Sequence, residues 1–391
     1  MNLISELVAS APAYGELRRH IHAHPELGFE EVQTAALVAE RLEAMGIEVH
    51  TGLGTTGVVG TIRYGNGTKS IGLRADMDAL PIQEQTGVAH ASTRDGVFHG
   101  CGHDGHTAML LAAAEYLVDM PKSDQGKGFD GTVHLIFQPA EEGLGGGKAM
   151  VEDGLFELFP CDAVFGMHNW PGLPVGQFAV RSGPFMAAQD IYDVTVHGTG
   201  GHAAYPQLAA NPIPVVADIA AAYSEMGRTA RERSAVIVVT EMEAGDAYNV
   251  IPDKAVIRGG VRNFDRQHQD DIEAELKQAA QQIGEQAGLA VEVDYRRNYP
   301  VLVNSQKETD IAVEVARSLV GEDNVDAYAK LVSGSEDFAF MLQEKPGCYI
   351  LIGGGGEPGT PFCHNPHYDF NDDIIALGAS YWVALTQRCL G

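Results

Sequence analysis

A chain of 391 residues is too long for one ordinary domain, so two are expected. Its 53 acidic against 26 basic side chains leave a net charge of −27, which opposes nucleic-acid binding because phosphate recognition needs a basic surface. With 45% hydrophobic residues, no apolar run long enough to span a bilayer and no basic segment ahead of an apolar one in MNLISELVAS, the composition is that of a soluble globular protein with no membrane partner and no secretory signal. Five cysteines at irregular spacings (Cys101, Cys161, Cys348, Cys363, Cys389) form no disulfide framework and point to the reducing cytoplasm. An anionic substrate would need a local cationic pocket against this overall field.

Residues 4–22 carry an apolar stripe (Ile4, Leu7, Val8, Leu17, Ile21) that predicts a helix broken near Pro12. Pro25 and Gly28 end it, and Glu30–Met45 forms another, stopped by Gly46. His20, His22 and His24 alternate just before the proline and read as a solvated helix end rather than a metal cluster. Strands follow at 47–50, 57–63 and 69–73, with Gly65-Asn66-Gly67 joining the last two as a hairpin. The second strand of that pair runs into LRADMDALP, where Asp76 and Asp78 either face one way on a continuing strand or cap a loop. HGCGHDGH (99–106) then packs three histidines, a cysteine and an aspartate ahead of the apolar helix 108–117, presenting Cys101 and His103 at its mouth. In that stretch His99 and His106 shape the loop and start the helix.

A polar linker is expected at 121–131. The buried strand 132–137 ends in Gln138-Pro139 and the pair Glu141-Glu142, and the strand 163–167 ends in His168-Asn169-Trp170. Strands that end in such groups and alternate with helices predict an α/β catalytic domain, its central sheet mostly parallel and flanked by helices. From residue 185 the order becomes β-α-β-β-α-β, which predicts an inserted ferredoxin-like domain at 185–298 between catalytic segments 1–184 and 299–391. The last segment carries helices at 310–320, from GSEDFAFML onward and at 373–389, a strand at 348–352, and the loop GGGGEPGTPFCHNPHYDF with His364 and His367.

Cys101, His103, Glu142, His168 and His364 are thus candidate ligands, all at strand ends or in loops. Thiolate, imidazole and carboxylate together suit a first-row transition metal, and five donors exceed what one catalytic ion takes with a position left open, so two ions are expected. Of the adjacent carboxylates, one binds metal and its neighbour is left to act as base, since coordination removes basicity.

The set LRADMDALP, HGCGHDGHTAML, FQPAEEG, GMHNWP, GTGGHAAYP, NVIPD, GGVRNFD, SGSEDF and CHNPHYDF, in order along nearly the whole chain, resembles the two-metal amidohydrolases and peptidases that include aminoacylase and carboxypeptidase G. Within them it is most similar to the branch of hippurate hydrolase and the indole-3-acetyl-amino-acid hydrolases. The resemblance implies two divalent ions, manganese first with zinc, nickel or cobalt as alternatives, held by Cys101, His103, Glu142, His168 and His364. It implies Glu141 as the general base that later protonates the leaving amine, with Asp78 and Asp104 orienting histidine ligands. His202, by itself a surface-loop histidine, is implied to stabilise the oxyanion from a lid domain, often across a dimer interface. Asn249 and Arg262 are implied to hold the substrate; the other reading of Arg262 is a pair with Asp265. The expected reaction is hydrolysis of N-acyl amino acids such as hippurate, or of short peptides, by a homodimer or homotetramer built through the lid. A dipeptidase, a carboxypeptidase and an N-acetyl-diaminopimelate deacetylase share that chemistry. Cys101 as a covalent nucleophile, and a metal-binding protein without catalysis, are the readings it displaces.

Overall fold

The computed structural model describes residues 1–120, 128–356 and 359–391, so 121–127 of the expected linker and 357–358 of the glycine-rich loop lie outside the described residues. The chain forms two compact units: Met1–Phe185 with Val303–Lys330 and Asp337–Gly391, and Met186–Leu302 with Leu331–Glu336. The inserted unit therefore closes at Leu302 rather than at 298, and a short later segment returns to it.

The first unit begins with α1 (Ser5–Ala23), α2 (Val32–Ala44), β1 (Glu48–Leu53), β2 (Gly57–Tyr64), β3 (Ser70–Asp76), α3 (His103–Asp119), β4 (Gly131–Gln138), α4 (Gly146–Glu152), α5 (Leu155–Leu158), β5 (Ala163–Pro171) and β6 (Phe178–Ala179). The chain passes through β7 (Gly183–Met186) into the second unit: β8 (Ala188–His197), β9 (Gly201–His202), α6 (Pro212–Ala230), β10 (Val236–Ala244), β11 (Val250–Ile251), β12 (Lys254–Asn263), α7 (Arg266–Ala287) and β13 (Ala290–Tyr299). After β14 (Leu302–Asn304), α8 (Gln306–Val320), β15 (Val325–Asp326), α9 (Phe338–Glu344), β16 (Gly347–Gly355) and α10 (Ile375–Leu390) complete the first.

The large sheet has the order β1-β2-β4-β3-β5-β16-β6-β15. Its centre, β4-β3-β5-β16, is parallel throughout, so these strands end on one edge. Successive side chains of a strand face opposite ways, and β5 shows what covers each face. Gly166 lies against Phe338 of α9, whereas Met167 meets Gly378 of α10, which also abuts Met109 of α3. Helices therefore cover both faces, as buried parallel strands require. In α3 every residue from Ala108 to Ala114 is buried, including Ala112, which marks a helix enclosed on all sides.

Two local expectations are corrected. Strands β2 and β3 are not a hairpin: β4 lies between them, antiparallel to β2 and parallel to β3. The Gly65-Asn66-Gly67 turn is held instead by the carboxylate of Asp130, which accepts the Asn66 N–H at 2.7 Å and the Gly67 N–H. Pro12 does not break the first helix, which runs from Ser5 to Ala23. An interior proline costs roughly 3 kcal/mol, and the face that buries Leu7, Tyr14, Leu17 and Ile21 in the core offsets it at about 1.5–3 kcal/mol per large apolar side chain.

The second unit forms the sheet β10-β12-β8-β13, antiparallel at every pair, which is the strand order of a ferredoxin-like β-α-β-β-α-β fold. Its own core joins Tyr192, Val194 and Val196 of β8 to Val216, Ile219 and Tyr223 of α6 and Ile272 and Leu276 of α7.

His134 of β4 is buried with Nδ1 3.0 Å from Thr61 Oγ1, and burial, helped by Arg63, pushes its pKa down to about 4. The folded value lies below the unfolded one, so the neutral ring stabilises the fold fully above about pH 6.5, and this is lost as pH falls toward 4. Urea midpoints measured at pH 7, 5.5 and 4 should fall, with up to roughly 3 kcal/mol of the loss due to this ring. His134→Gln should flatten that slope, and an unchanged slope would refute the assignment.

Candidate metal centre

The candidate donors come from the loop before α3 (Cys101), its first residue (His103), the turn after β4 (Glu141, Glu142), β5 (His168) and the loop after β16 (His364). Cys101, Glu141 and His103 are buried, Glu142 and His168 are partly buried, and His364 is exposed. Donor atoms of Cys101, His103 and His168 lie within 4.8 Å of one another; so do those of Cys101, Glu142 and His364, and those of His103, Glu141 and Glu142. These overlapping triplets share Cys101, His103 and Glu142 and make one cluster. Cys101 Sγ is 3.3 Å from His168 Nε2, and Glu142 Oε1 is 3.1 Å from His364 Nε2 and 4.0 Å from His103 Nε2.

Local conformation aims each of them. Gly102 precedes α3 at φ +93, and a Cβ there would stand 2.4 Å from Asn169 Oδ1 and 2.6 Å from the Tyr368 hydroxyl, so only glycine lets His103 open the helix at this spot. Past β4 the chain turns at Ala140, whose φ of +53 is costly for a residue with a side chain. Buried Glu31 holds that turn by accepting the Ala140 N–H at 2.8 Å and the Thr56 hydroxyl at 2.6 Å. The turn delivers Glu141 and Glu142 to the cluster. His364, also left-handed at φ +69, donates its backbone N–H to Gly100 O at 2.7 Å, which fastens the last loop to the cysteine loop.

Ring tautomers follow from the neighbours. His168 Nδ1 donates to Asn169 O at 2.6 Å and leaves Nε2 as the donor atom toward Cys101. Burial and the adjacent His106 hold the pKa of His168 well below the usual histidine value. Asp78 Oδ1 receives His103 Nδ1 at 3.2 Å, and Asp78 Oδ2 accepts the Glu142 backbone N–H at 2.9 Å. Burial opposes a proton on His103, but Asp76, Asp78 and Glu142 together raise its pKa well above the ordinary value. A hydrogen bond with Cys363, burial and the nearby glutamates push the Cys101 thiol up. Buried His103 Nε2 and Glu142 Oε1 make no hydrogen bond. Native interiors rarely leave such atoms without a hydrogen bond, and a cation between them would satisfy both. The donor set thus fits divalent transition-metal ions.

Among the described residues Asp104 hydrogen-bonds none of the candidate ligand histidines, against the expectation that it orients one. Its carboxylate takes His22 Nδ1 at 2.9 Å, the Gly105 N–H at 2.9 Å and Arg18 at 3.5 Å. His22 is accordingly no solvated helix end: it is fully buried between Asp104 and Glu84, whose acceptor bonds outweigh burial and raise its pKa to about 9. Fully buried Arg18, one turn earlier on α1, also pairs with Asp369 and Asp372 at 2.8 Å each. The i, i+4 spacing of Arg18 and His22 on an apolar helix face was the available signal. His106 sits between Asp76 (2.6 Å) and Asn169 (2.7 Å), and His99 is buried with its pKa lowered to about 4 by desolvation.

His202, Asn249 and Arg262 all lie in the second unit. The β9–β11 ladder pairs His202 with Val250, beside Asn249, and both His202 and Asn249 line an open cavity of about 680 Å³. The Ala204 N–H donates to His202 Nδ1 at 3.1 Å, so Nε2 carries the proton and is a donor. Arg262 stands elsewhere. Lys254, at the β12 end next to β11, pairs with His197, and Arg262 pairs with Gln189 at the far end. At about 3.3 Å per residue the two ends are roughly 26 Å apart. Asp265 caps α7 through the His268 N–H at 3.0 Å, while the half-buried Arg262 guanidinium donates to Val261 O at 3.2 Å, with its pKa lowered by burial.

If Asp78 fixes both His103 and the Glu142 turn, Asp78→Asn should lower metal affinity about 10–100-fold, the usual cost of losing a carboxylate behind a histidine ligand. Titration of the chelated protein with zinc, followed by calorimetry, measures this; wild-type affinity in the variant would exclude the role.

The model for "Peptidase family M20/M25/M40" matches residues 72–388. Hippurate hydrolase of Campylobacter jejuni is 41% identical, over 100% of both chains. Thermostable carboxypeptidase 2 of Saccharolobus solfataricus is 38% identical, over 93% of this chain and 92% of the relative. The crystal structure of the Bacillus subtilis YXEP protein, described as a dinuclear metal-binding peptidase of the M20 family, superposes with a TM-score of 0.83 at 32% identity, covering 98% of this chain and 99% of that one. The chain belongs to the M20/M25/M40 peptidase family.

Proposed function

We propose that the protein hydrolyses the amide bond of N-acyl and N-aroyl amino acids, hippurate among them, to a carboxylic acid and an amino acid. The observation that carries this reading is the buried Glu141 beside a thiol–imidazole–carboxylate cluster, in a chain that matches hippurate hydrolase along its full length. Cys101, His103, Glu142, His168 and His364 would hold two divalent ions, manganese first, with zinc, nickel or cobalt as alternatives. When bound, such ions supply Lewis acidity toward the carbonyl and acidify water.

The remaining work falls to side chains. Glu141 takes a proton from the attacking water and delivers it to the departing nitrogen. His202, with its proton on Nε2, donates to the oxyanion, and Asn249 binds alongside it. Arg262 pairs through its planar fork with the substrate carboxylate, since among the described residues its guanidinium hydrogen-bonds a backbone carbonyl and no carboxylate. One N-acyl amino acid is too short to bridge roughly 26 Å of strand. This separation supports a homodimer in which His202 and Asn249 serve the substrate held by the other copy, with the metals and Glu141 of that copy. The acidic composition supports a soluble enzyme, and the five irregularly spaced cysteines support a reducing, cytoplasmic compartment. A carboxypeptidase is the second reading, favoured by the likeness to the Saccharolobus protein.

Metal-free protein reconstituted in turn with manganese, zinc, nickel and cobalt should cleave N-aroyl and N-acyl amino acids faster than peptides. Glu141→Gln should keep its metals and lose roughly 100–10,000-fold in kcat; full turnover would sink the mechanism. Mixing the inactive variants Glu141→Gln and His202→Ala under subunit exchange should restore about a quarter of wild-type activity, since half of randomly exchanged dimers carry one intact site. No recovery would place His202 in its own chain's site.

A further inference from the structure

Of the five cysteines, two meet at the candidate centre. The His364 N–H bond to Gly100 O, at 2.7 Å, brings the segment ending in Cys363 alongside the cysteine loop. The Cys363 thiol donates to Cys101 O at 3.7 Å, which places its sulfur beside the Cys101 residue. Cys363 is half-buried and reached from solvent, whereas Cys101 lies behind it at 7% exposure. The other three sit in other elements, where burial raises Cys161 and Cys348 to about 12 and Cys389 to about 11, so they are poor nucleophiles. Asn169 Nδ2, which also bonds Tyr368 at 2.7 Å, stands 3.9 Å from Cys363 Sγ and holds that sulfur on the inner side of the loop.

We propose that Cys101 and Cys363 form a reversible disulfide when hydroperoxide reaches the protein without its metals. The Cys363 thiolate attacks one peroxide oxygen, the O–O bond breaks, and Cys363 becomes a sulfenic acid while hydroxide leaves with a proton as water. The Cys101 sulfur then attacks Cys363 Sγ, the S–S bond forms, and the sulfenic oxygen leaves as a second water. Two thiols lose two electrons and two protons in total, and one peroxide becomes two waters. The crosslink protects Cys101 from irreversible oxidation to sulfinic acid. It also removes the Cys101 sulfur from the donors His168 and Glu142, so metal loading would require prior reduction; this consequence, unlike the disulfide itself, rests on Cys101 being a ligand.

The test uses the full chain, chelated or metal-loaded, exposed to two equivalents of hydrogen peroxide, enough to carry one thiol to sulfinic acid, and read by intact mass and peptide mapping. The chelated protein should lose the mass of two hydrogens, yield a peptide joining Cys101 to Cys363, and return to its starting mass with dithiothreitol. Metal-loaded protein should form the crosslink more slowly. Cys363→Ser should convert Cys101 to sulfinic acid that dithiothreitol does not reverse. Recovery of wild-type Cys101 as sulfinic acid beside a free Cys363, or a disulfide joining any other pair, would overturn the proposal. Oxidised protein that carries the crosslink yet takes up its full metal complement would leave the disulfide standing and refute Cys101 as a ligand.

Discussion

The Asp78 carboxylate ties together two pieces of the candidate centre that are distant in sequence. One oxygen meets His103, 25 residues on, and the other accepts the backbone N–H of Glu142, 64 residues on. A carboxylate with both oxygens engaged cannot shift toward one partner without losing the other, so the opening of α3 and the turn after β4 are set relative to each other. Orientation of His103 Nε2 and Glu142 Oε1, two buried atoms left without hydrogen bonds, depends on this one group.

Around it, a layer of buried charge is balanced internally. Arg18 faces Asp104, Asp369 and Asp372; His22 lies between Asp104 and Glu84; Arg74 lies between Asp76 and Asp337. Ions buried without partners cost several kcal/mol each, so removing one member strands the others. This makes the floor of the site stiff, which suits donors that must hold their separation. The strained backbone at Ala140 and His364 falls at the same place and is held by Glu31 and by Gly100.

Local chemistry made much of this legible. The mixed donor set at strand ends, the adjacent glutamates and the switch from α/β to β-α-β-β-α-β order are all short-range patterns, and each carries its meaning within a few residues. Reading failed where the meaning was non-local. His22 alternates with His20 and His24 before a proline, and nothing nearby announces that Asp104 will bury it. The Gly65-Asn66-Gly67 turn looks like a hairpin because a turn carries no information about a strand that arrives much later in the chain. β4, which follows α3 in the chain, takes the place between β2 and β3. Arg262 groups with His202 and Asn249 by motif, although the strand register puts it at the opposite end of β12 from them.

By itself, then, the sequence determined which residue types were available for chemistry and the element on which each would lie, because hydrophobic period, glycine and proline act locally. Only the tertiary structure decided partnership: that Asp78 rather than Asp104 bonds the candidate ligand His103, that Asp104 holds Arg18 and His22, and that Cys363 lies against Cys101. Hydrogen bonds and ion pairs act over a few ångströms, and which groups come that close depends on strand order and helix packing summed over the whole unit.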